Sequence, residues 1–94
     1  TATTQLLFVN FGPKEAAHCL KLAGRLRKDG IKVEVYPDAV KMKKQMNYAN
    51  KKNVAFVAMV GEEEMENGTI TLKNMETGEQ KSVTPDEVAE VCRK

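Results

Sequence analysis

The sequence has few of the residues that build metal, redox and disulfide sites. Its 94 residues include two cysteines, one histidine and no tryptophan. Cys19 and Cys92 lie among apolar neighbours at helical spacing, which favours two small buried side chains over a disulfide. Because His18 and the cysteines lack the spacing of a zinc or transition-metal ligand set, we expect no metal site, and we interpret His18 as an exposed surface residue.

Long hydrophobic runs are also absent. No stretch approaches the roughly 20 consecutive apolar residues of a membrane-spanning helix, and the first residues lack the charged and apolar regions of a signal peptide. We therefore expect a cytoplasmic protein that does not enter a membrane. Hydrophobic residues make up 41% of the chain and charged residues 30%, which excludes a disordered chain and fits one globular domain over residues 1–94.

Motifs for nucleotide binding and catalysis are missing as well. The chain contains neither of the phosphate-binding motifs GxxxxGK[ST] and GxGxxG. A phosphoacceptor site built on two aspartates is also missing, because the first apolar run ends in Asn10. His18 and Cys19 are neighbours about 100° apart on a helix, so the histidine does not activate the thiol. We predict no catalytic residue and no cofactor in this chain.

The net charge of +2 hides an uneven distribution of charge. Residues 1–54 carry 11 Lys and Arg against 4 Asp and Glu, whereas residues 55–94 carry 4 against 9. A basic half beside an acidic half indicates one basic face that attracts polyanions and a second, acidic face that is turned away from them.

The pattern of apolar residues predicts a three-layer α/β domain with a mixed sheet of about five strands. A strand, a helix and a strand within the first 36 residues indicate a right-handed βαβ unit with parallel strands. The predicted strands cover 5–10, 31–36, 54–60, 69–73 and 79–83; the predicted helices cover 13–29, 40–51 and 85–92, with one helical turn over 62–66.

Ligands of open α/β sheets bind outside the carboxyl ends of the parallel strands. This rule places residues 10–11, 36–38 and 61–64 around one site. Near it, the second predicted helix carries Lys41, Lys44, Tyr48 and Lys51 on one side, with Gln45 at the flank. A tyrosine between lysines can stack on a base while the cations hold phosphates, so this pattern favours single-stranded RNA. The alternative is a tyrosine packed by lysine side chains on an ordinary surface.

The first predicted helix has two distinct faces. Its apolar stripe consists of Ala16, Cys19, Leu20, Ala23 and Leu26. Basic side chains within about 80° of one another lie opposite that stripe: Lys14, His18, Lys21, Arg25 and Lys28. Such a face is either simply solvated or a contact surface for a polyanion.

Several segments together resemble a known family. They are Phe8-Val9-Asn10-Phe11-Gly12, residues 30–35, Lys43-Lys44-Gln45-Met46-Asn47-Tyr48-Ala49, residues 60–64, Asn67-Gly68-Thr69-Ile70-Thr71-Leu72-Lys73 and residues 77–80. In order and spacing the sequence resembles the C-terminal anticodon-binding domain of class IIa aminoacyl-tRNA synthetases, and within that class the histidyl enzymes. The resemblance implies a five-stranded mixed sheet flanked by three helices that binds the anticodon loop of tRNA(His).

The resemblance also implies particular RNA contacts. These are Tyr36, Asp38, Lys41, Lys44, Gln45, Glu64 and Lys73, to which we add Phe11 and Tyr48 as stacking candidates. Lys73 stands where related synthetases carry arginine, and lysine cannot make the planar bidentate contact to a base edge. We therefore expect Lys73 to contact phosphate.

Further expectations concern a parent enzyme. Because the sequence starts at Thr1 without a methionine, we expect a chain that was processed, freed of a tag or cut from something longer. The resemblance implies that residues 1–94 are a domain excised from the C-terminus of a larger, homodimeric synthetase, whose catalytic domain would bind ATP, magnesium and histidine. Two alternatives stay open: the corresponding domain of a threonyl-, prolyl- or glycyl-tRNA synthetase, and a synthetase-like module for protein interaction.

Overall fold

Strands and helices alternate through the first two thirds of the computed structural model, which describes residues 3–93. The elements are β1 (Leu6–Phe8), α1 (Pro13–Lys28), β2 (Val33–Val35), α2 (Met42–Lys51), β3 (Phe56–Met59), α3 (Glu62–Asn67), β4 (Ile70–Asn74), β5 (Gln80–Val83) and α4 (Pro85–Arg93). This order confirms the predicted one, with the expected helical turn forming α3. Residues 1, 2 and 94 of the predicted domain lie outside the described residues.

The five strands form one mixed sheet in the order β2-β1-β3-β4-β5. β1 pairs in parallel with β2 and β3, whereas β4 is antiparallel to β3 and to β5. The predicted parallel βαβ unit is therefore confirmed, and the most continuous apolar run supplies the central strand β3. The strands are shorter than the apolar runs that predicted them because flanking residues such as Val9 stay buried without belonging to a strand.

Alternation of side chains along β1 divides the core into two layers. Leu6 and Phe8 pack with residues of α1 and α4 on one face of the sheet. Leu7 and Val9 point to the other face, where Ala49 of α2 covers them. α1 and α2 therefore lie on opposite faces of the sheet.

Two details of α1 differ from the expectations. Leu20 is 56% exposed, although the predicted apolar stripe included it. Cys19, Ala23 and Leu26 are the buried residues of this helix, and a rotation of about 100° per residue carries Leu20 out of their arc. His18 is partly buried rather than exposed, since it lies one turn before Leu22, which packs against the core.

Both cysteines are free and buried, as predicted. Burial raises the pKa of Cys19 and of Cys92 to about 11. Among residues 3–93, no group of three or more His, Cys, Asp or Glu side chains is placed to hold a metal ion. Within the same part of the chain, no helix is both long enough and apolar enough to cross a membrane.

Candidate nucleic-acid interface

The carboxyl ends of β1, β2 and β3 meet at one edge of the sheet, where α1, α2 and α3 begin. Asn10 organises this edge. Its side-chain amide donates a hydrogen bond to the Tyr36 carbonyl over 3.0 Å, and its Oδ1 accepts one from the Gly12 N–H over 2.9 Å. The loops after β1 and β2 are thereby held together, as the crevice rule predicts.

Gly12 allows the chain to turn from this edge into α1. Its φ of 149° lies in the region that residues with a side chain rarely adopt, and a Cβ there would stand 3.0 Å from a carboxylate oxygen of Glu15. Phe11, immediately before it, is 46% exposed. The turn therefore leaves an aromatic side chain accessible at the edge.

Gln45 was predicted to contact RNA, but its side chain lies inside the protein and is 0% exposed. Its Oε1 accepts from the Asn10 N–H over 2.7 Å, and its Nε2 donates to the carbonyls of Asn10 and Val40, each over 2.9 Å. All these partners are backbone groups, so Gln45 fixes the first turn of α2 to the end of β1. The spacing from Met42 through Gln45 to Ala49 already puts this glutamine on the apolar side of the helix.

Tyr36 and Tyr48 come together beside β2. Their ring centroids are 5.3 Å apart in an edge-to-face arrangement, and both side chains are partly buried. The Tyr48 hydroxyl donates to Glu34 Oε1 over 2.7 Å, while Thr4 donates to the other carboxylate oxygen. Tyr48 therefore packs against β2 and holds Tyr36 in place at the site.

Sequence reasoning missed Glu34 and Lys52 in this cluster. Hydrogen bonds from two hydroxyl groups, that of Thr4 first and then that of Tyr48, hold the pKa of Glu34 below its ordinary value. The hydrogen bond between Tyr48 and Glu34 also raises the pKa of Tyr48. Lys52 Nζ lies 5.9 Å from the centre of the Tyr48 ring. The glutamate is detectable in the sequence as the polar residue that interrupts a β-branched strand.

The start of α2 concentrates positive charge. Its first turn contains no acidic residue, no side chain caps it, and Lys41, Lys43 and Lys44 are all exposed there. These lysines add to the positive end of the helix dipole, an arrangement that disfavours the helix and favours a bound anion. Within residues 3–93 none of the three forms an ion pair. Asp38, in the loop before them, is exposed as well.

Glu64 lies at the same edge, in the first turn of α3 after β3, whereas Lys73 lies farther along the sheet on β4. Glu64 Oε1 accepts from the Gly61 N–H over 2.8 Å and closes the first turn of α3, and its Oε2 accepts from the Thr71 hydroxyl over 3.3 Å. The Gly61 hydrogen bond is the largest cause of the lowered pKa of Glu64. Lys73 lies opposite Val57 on the face that α2 partly covers, and is partly buried.

The predicted residues therefore fall into three groups. Gln45 belongs to the core. Phe11, Tyr36, Asp38, Lys41 and Lys44 surround the edge at the ends of β1 and β2, with Tyr48 behind Tyr36. Glu64 and Lys73 are partly buried around β3 and β4, where Glu64 already has hydrogen-bond partners.

Comparison with known proteins agrees with this geometry. A family model described as an anticodon binding domain matches residues 5–94. The histidine–tRNA ligase of Phocaeicola vulgatus is 61% identical over 90 residues, which cover 96% of this chain and 20% of that protein. The ligase of Bacteroides fragilis is 59% identical over 85 residues, which cover 90% of this chain and 19% of that protein. The chain thus spans about a fifth of the length of these relatives.

Solved structures give the same result. The histidyl-tRNA synthetase of Nostoc sp. PCC 7120 matches with a TM-score of 0.91 and 26% identity, covering 98% of this chain and 22% of that one. The ligand-free S. aureus histidyl-tRNA synthetase matches with a TM-score of 0.85 and 33% identity, covering 98% and 24% respectively. The chain belongs to the family of anticodon-binding domains and corresponds to that domain in histidine–tRNA ligases.

Proposed function

We propose that this domain binds the anticodon stem-loop of tRNA(His) and thereby positions that tRNA for a longer histidine–tRNA ligase. The observation that carries the proposal is the edge at the ends of β1 and β2. It combines exposed aromatic surface, an exposed carboxylate and lysines that pair with no carboxylate in residues 3–93. An anticodon loop offers bases to stack and phosphates to neutralise, which is the chemistry that this edge accepts.

Each side chain at the edge suits one part of the loop. Phe11 and Tyr36 stack on unpaired bases, and Asp38 accepts hydrogen bonds from their amino groups. Lys41 and Lys44 contact phosphates at the positive end of α2. Lys73 adds a phosphate contact farther along the sheet, beside Glu64, if the loop extends over the face that α2 leaves open.

The remaining steps belong to the longer enzyme. A catalytic domain outside this chain would use ATP and magnesium to attach histidine, within a homodimer in the cytoplasm. This domain's contribution is positional, since holding the anticodon end fixes where the acceptor end of the tRNA reaches.

The alternatives receive less support. The relatives named above are histidine–tRNA ligases rather than threonyl, prolyl or glycyl enzymes. A module for protein interaction would have no need of lysines gathered at a helix start without carboxylate partners, because that arrangement costs helix stability.

Substitution of Lys44 tests the proposal. Lys44 is exposed on α2, where alanine is an even better helix former, so Lys44→Ala keeps the fold. We expect weaker binding of a fluorescent anticodon stem-loop, and a salt dependence of log K that is shallower by about 0.7–0.9.

The matched control is Lys32→Ala, which removes the same charge from an exposed position before β2. Equal losses of affinity in the two variants would show that only the overall charge of the domain matters, and would contradict a phosphate contact at the start of α2.

A further inference from the structure

We propose that α1 carries a second RNA-contact surface, a lysine stripe of Lys14, Lys21 and Lys28 that binds the phosphate backbone of the stem adjoining the anticodon loop. This inference rests on the proposed function, because it requires the loop to be held at the edge where α1 begins. It adds a binding surface that the edge itself does not contain.

The lysine stripe has regular geometry. Its members are seven residues apart on a helix of 16 residues, so they lie nearly one above another in steps of about 10.5 Å. From Lys14 to Lys28 the stripe is about 21 Å long. All three side chains are exposed, and they point away from the buried arc of Cys19, Ala23 and Leu26. Gly24 lies beside the stripe, and a Cβ at this position would meet no atom within 4 Å, so the surface next to the lysines is open.

The charge of the stripe has no internal partner. Arg25 on the same side of α1 forms an ion pair with Asp86, and Arg93 lies 3.8 Å from Asp29. In the part of the chain that the structure describes, no carboxylate comes within ion-pair distance of Lys14, Lys21 or Lys28. Three uncompensated positive charges in a row complement a polyanion with regularly spaced charges, and a nucleic-acid backbone is such a polyanion.

The position of the stripe selects the stem rather than the loop. Lys14 lies in the first turn of α1, three residues after the exposed Phe11. The stripe then runs away from the edge along the face opposite α2. RNA whose loop is held at the edge continues as a duplex, and the stripe offers that duplex phosphate contacts without reading its sequence.

Two hairpins and two double variants test the inference. The hairpins share the histidine anticodon loop; one has the shortest stem that closes the loop, and the other has a stem longer by one helical turn. The stripe variant is Lys21→Ala with Lys28→Ala, which leaves Lys14 near the loop unchanged. The control variant, Lys32→Ala with Lys81→Ala, removes the same charge from exposed positions outside the site and the stripe.

For the wild-type protein we expect tighter binding of the long-stem hairpin. The stripe variant should lose most of that gain, on the order of tenfold at 0.1 M salt, with a salt dependence of log K shallower by about 1.4–1.8. Its affinity for the short hairpin and its thermal unfolding should stay close to wild type, and the control variant should keep the gain.

The outcomes separate this inference from the proposed function. Tight binding of the short hairpin with no gain from the longer stem overturns the stripe and leaves the proposed function standing. A gain that the stripe variant retains, or that the control variant loses equally, also overturns it. Binding of the long hairpin alone, lost in the stripe variant, would show that the stripe binds duplex RNA without a bound loop; it would contradict the anticodon site and, with it, the inference that the stem continues from a loop held at the edge. If neither hairpin binds, both proposals are wrong.

Discussion

Gln45 holds the candidate site together, and its replacement by methionine measures how strongly. Methionine has nearly the same length and volume but cannot replace the three hydrogen bonds to Asn10 and Val40. Gln45→Met therefore leaves one N–H and two carbonyl groups without their partner at a position that is 0% exposed.

The expected loss follows from those three groups. An unsatisfied buried backbone group costs about 1–3 kcal/mol, and part of this is recovered because the Val40 end of the network lies near solvent. We expect a loss of about 3 kcal/mol in the free energy of unfolding, a large share of the roughly 5–14 kcal/mol available to a domain of this size. With a urea dependence of about 1.5 kcal/mol per molar, the unfolding midpoint should fall by about 2 M.

Urea unfolding followed by far-ultraviolet circular dichroism provides the measurement. The control is Gln80→Met on the edge strand β5, where the glutamine is exposed. Its midpoint should stay within about 0.3 M of wild type, since surface substitutions change stability by about 0.5 kcal/mol at most. A Gln45→Met midpoint as close to wild type as that of the control would refute the view that this amide fixes α2 to β1.

Other predictions concern the titratable groups. Hydrogen bonds from Thr4 and Tyr48 hold the pKa of Glu34 below its ordinary value in the folded protein, so their stabilisation is complete above the ordinary carboxyl pKa and is lost as the pH falls through the lowered one. Acid unfolding of Glu34→Gln should accordingly show a weaker pH dependence than wild type, and an identical pH profile would contradict this. Cys19 and Cys92, with pKa values of about 11, should react slowly with iodoacetamide in the native protein at about pH 8 and quickly in denaturant, as followed by intact mass; rapid native alkylation would show that they are accessible.

The fold follows from the sequence because its signals are local and mutually consistent. Apolar runs, the prolines that open α1 and α4, the Thr84–Glu87 capping box and the glycine after α1 define the elements. The handedness of βαβ units defines the first half of the sheet. The exposure of Leu20 is harder to predict. Residue spacing shows which side of a helix is apolar, but it does not show how much of that side the neighbouring elements cover.

The candidate site is less predictable for a related reason. Charged residues such as Lys41 and Lys44 are exposed almost wherever they occur, so their positions follow from the helix alone. A glutamine can lie in the core or in solvent, and only the backbone groups that it meets decide between them, as they do for Gln45. The Tyr48–Glu34 hydrogen bond joins residues on different elements, and sequence spacing within one element does not reveal it.

We propose that the edge at the ends of β1 and β2 reads an anticodon loop. The most direct measurement is titration of this domain with three stem-loops that share one stem and carry the histidine anticodon or either of two others, at low and at physiological salt. We expect preferential binding of the histidine stem-loop, with an affinity that falls as salt rises because phosphate contacts release counterions. Equal affinity for all three, or binding that salt leaves unchanged, would contradict it.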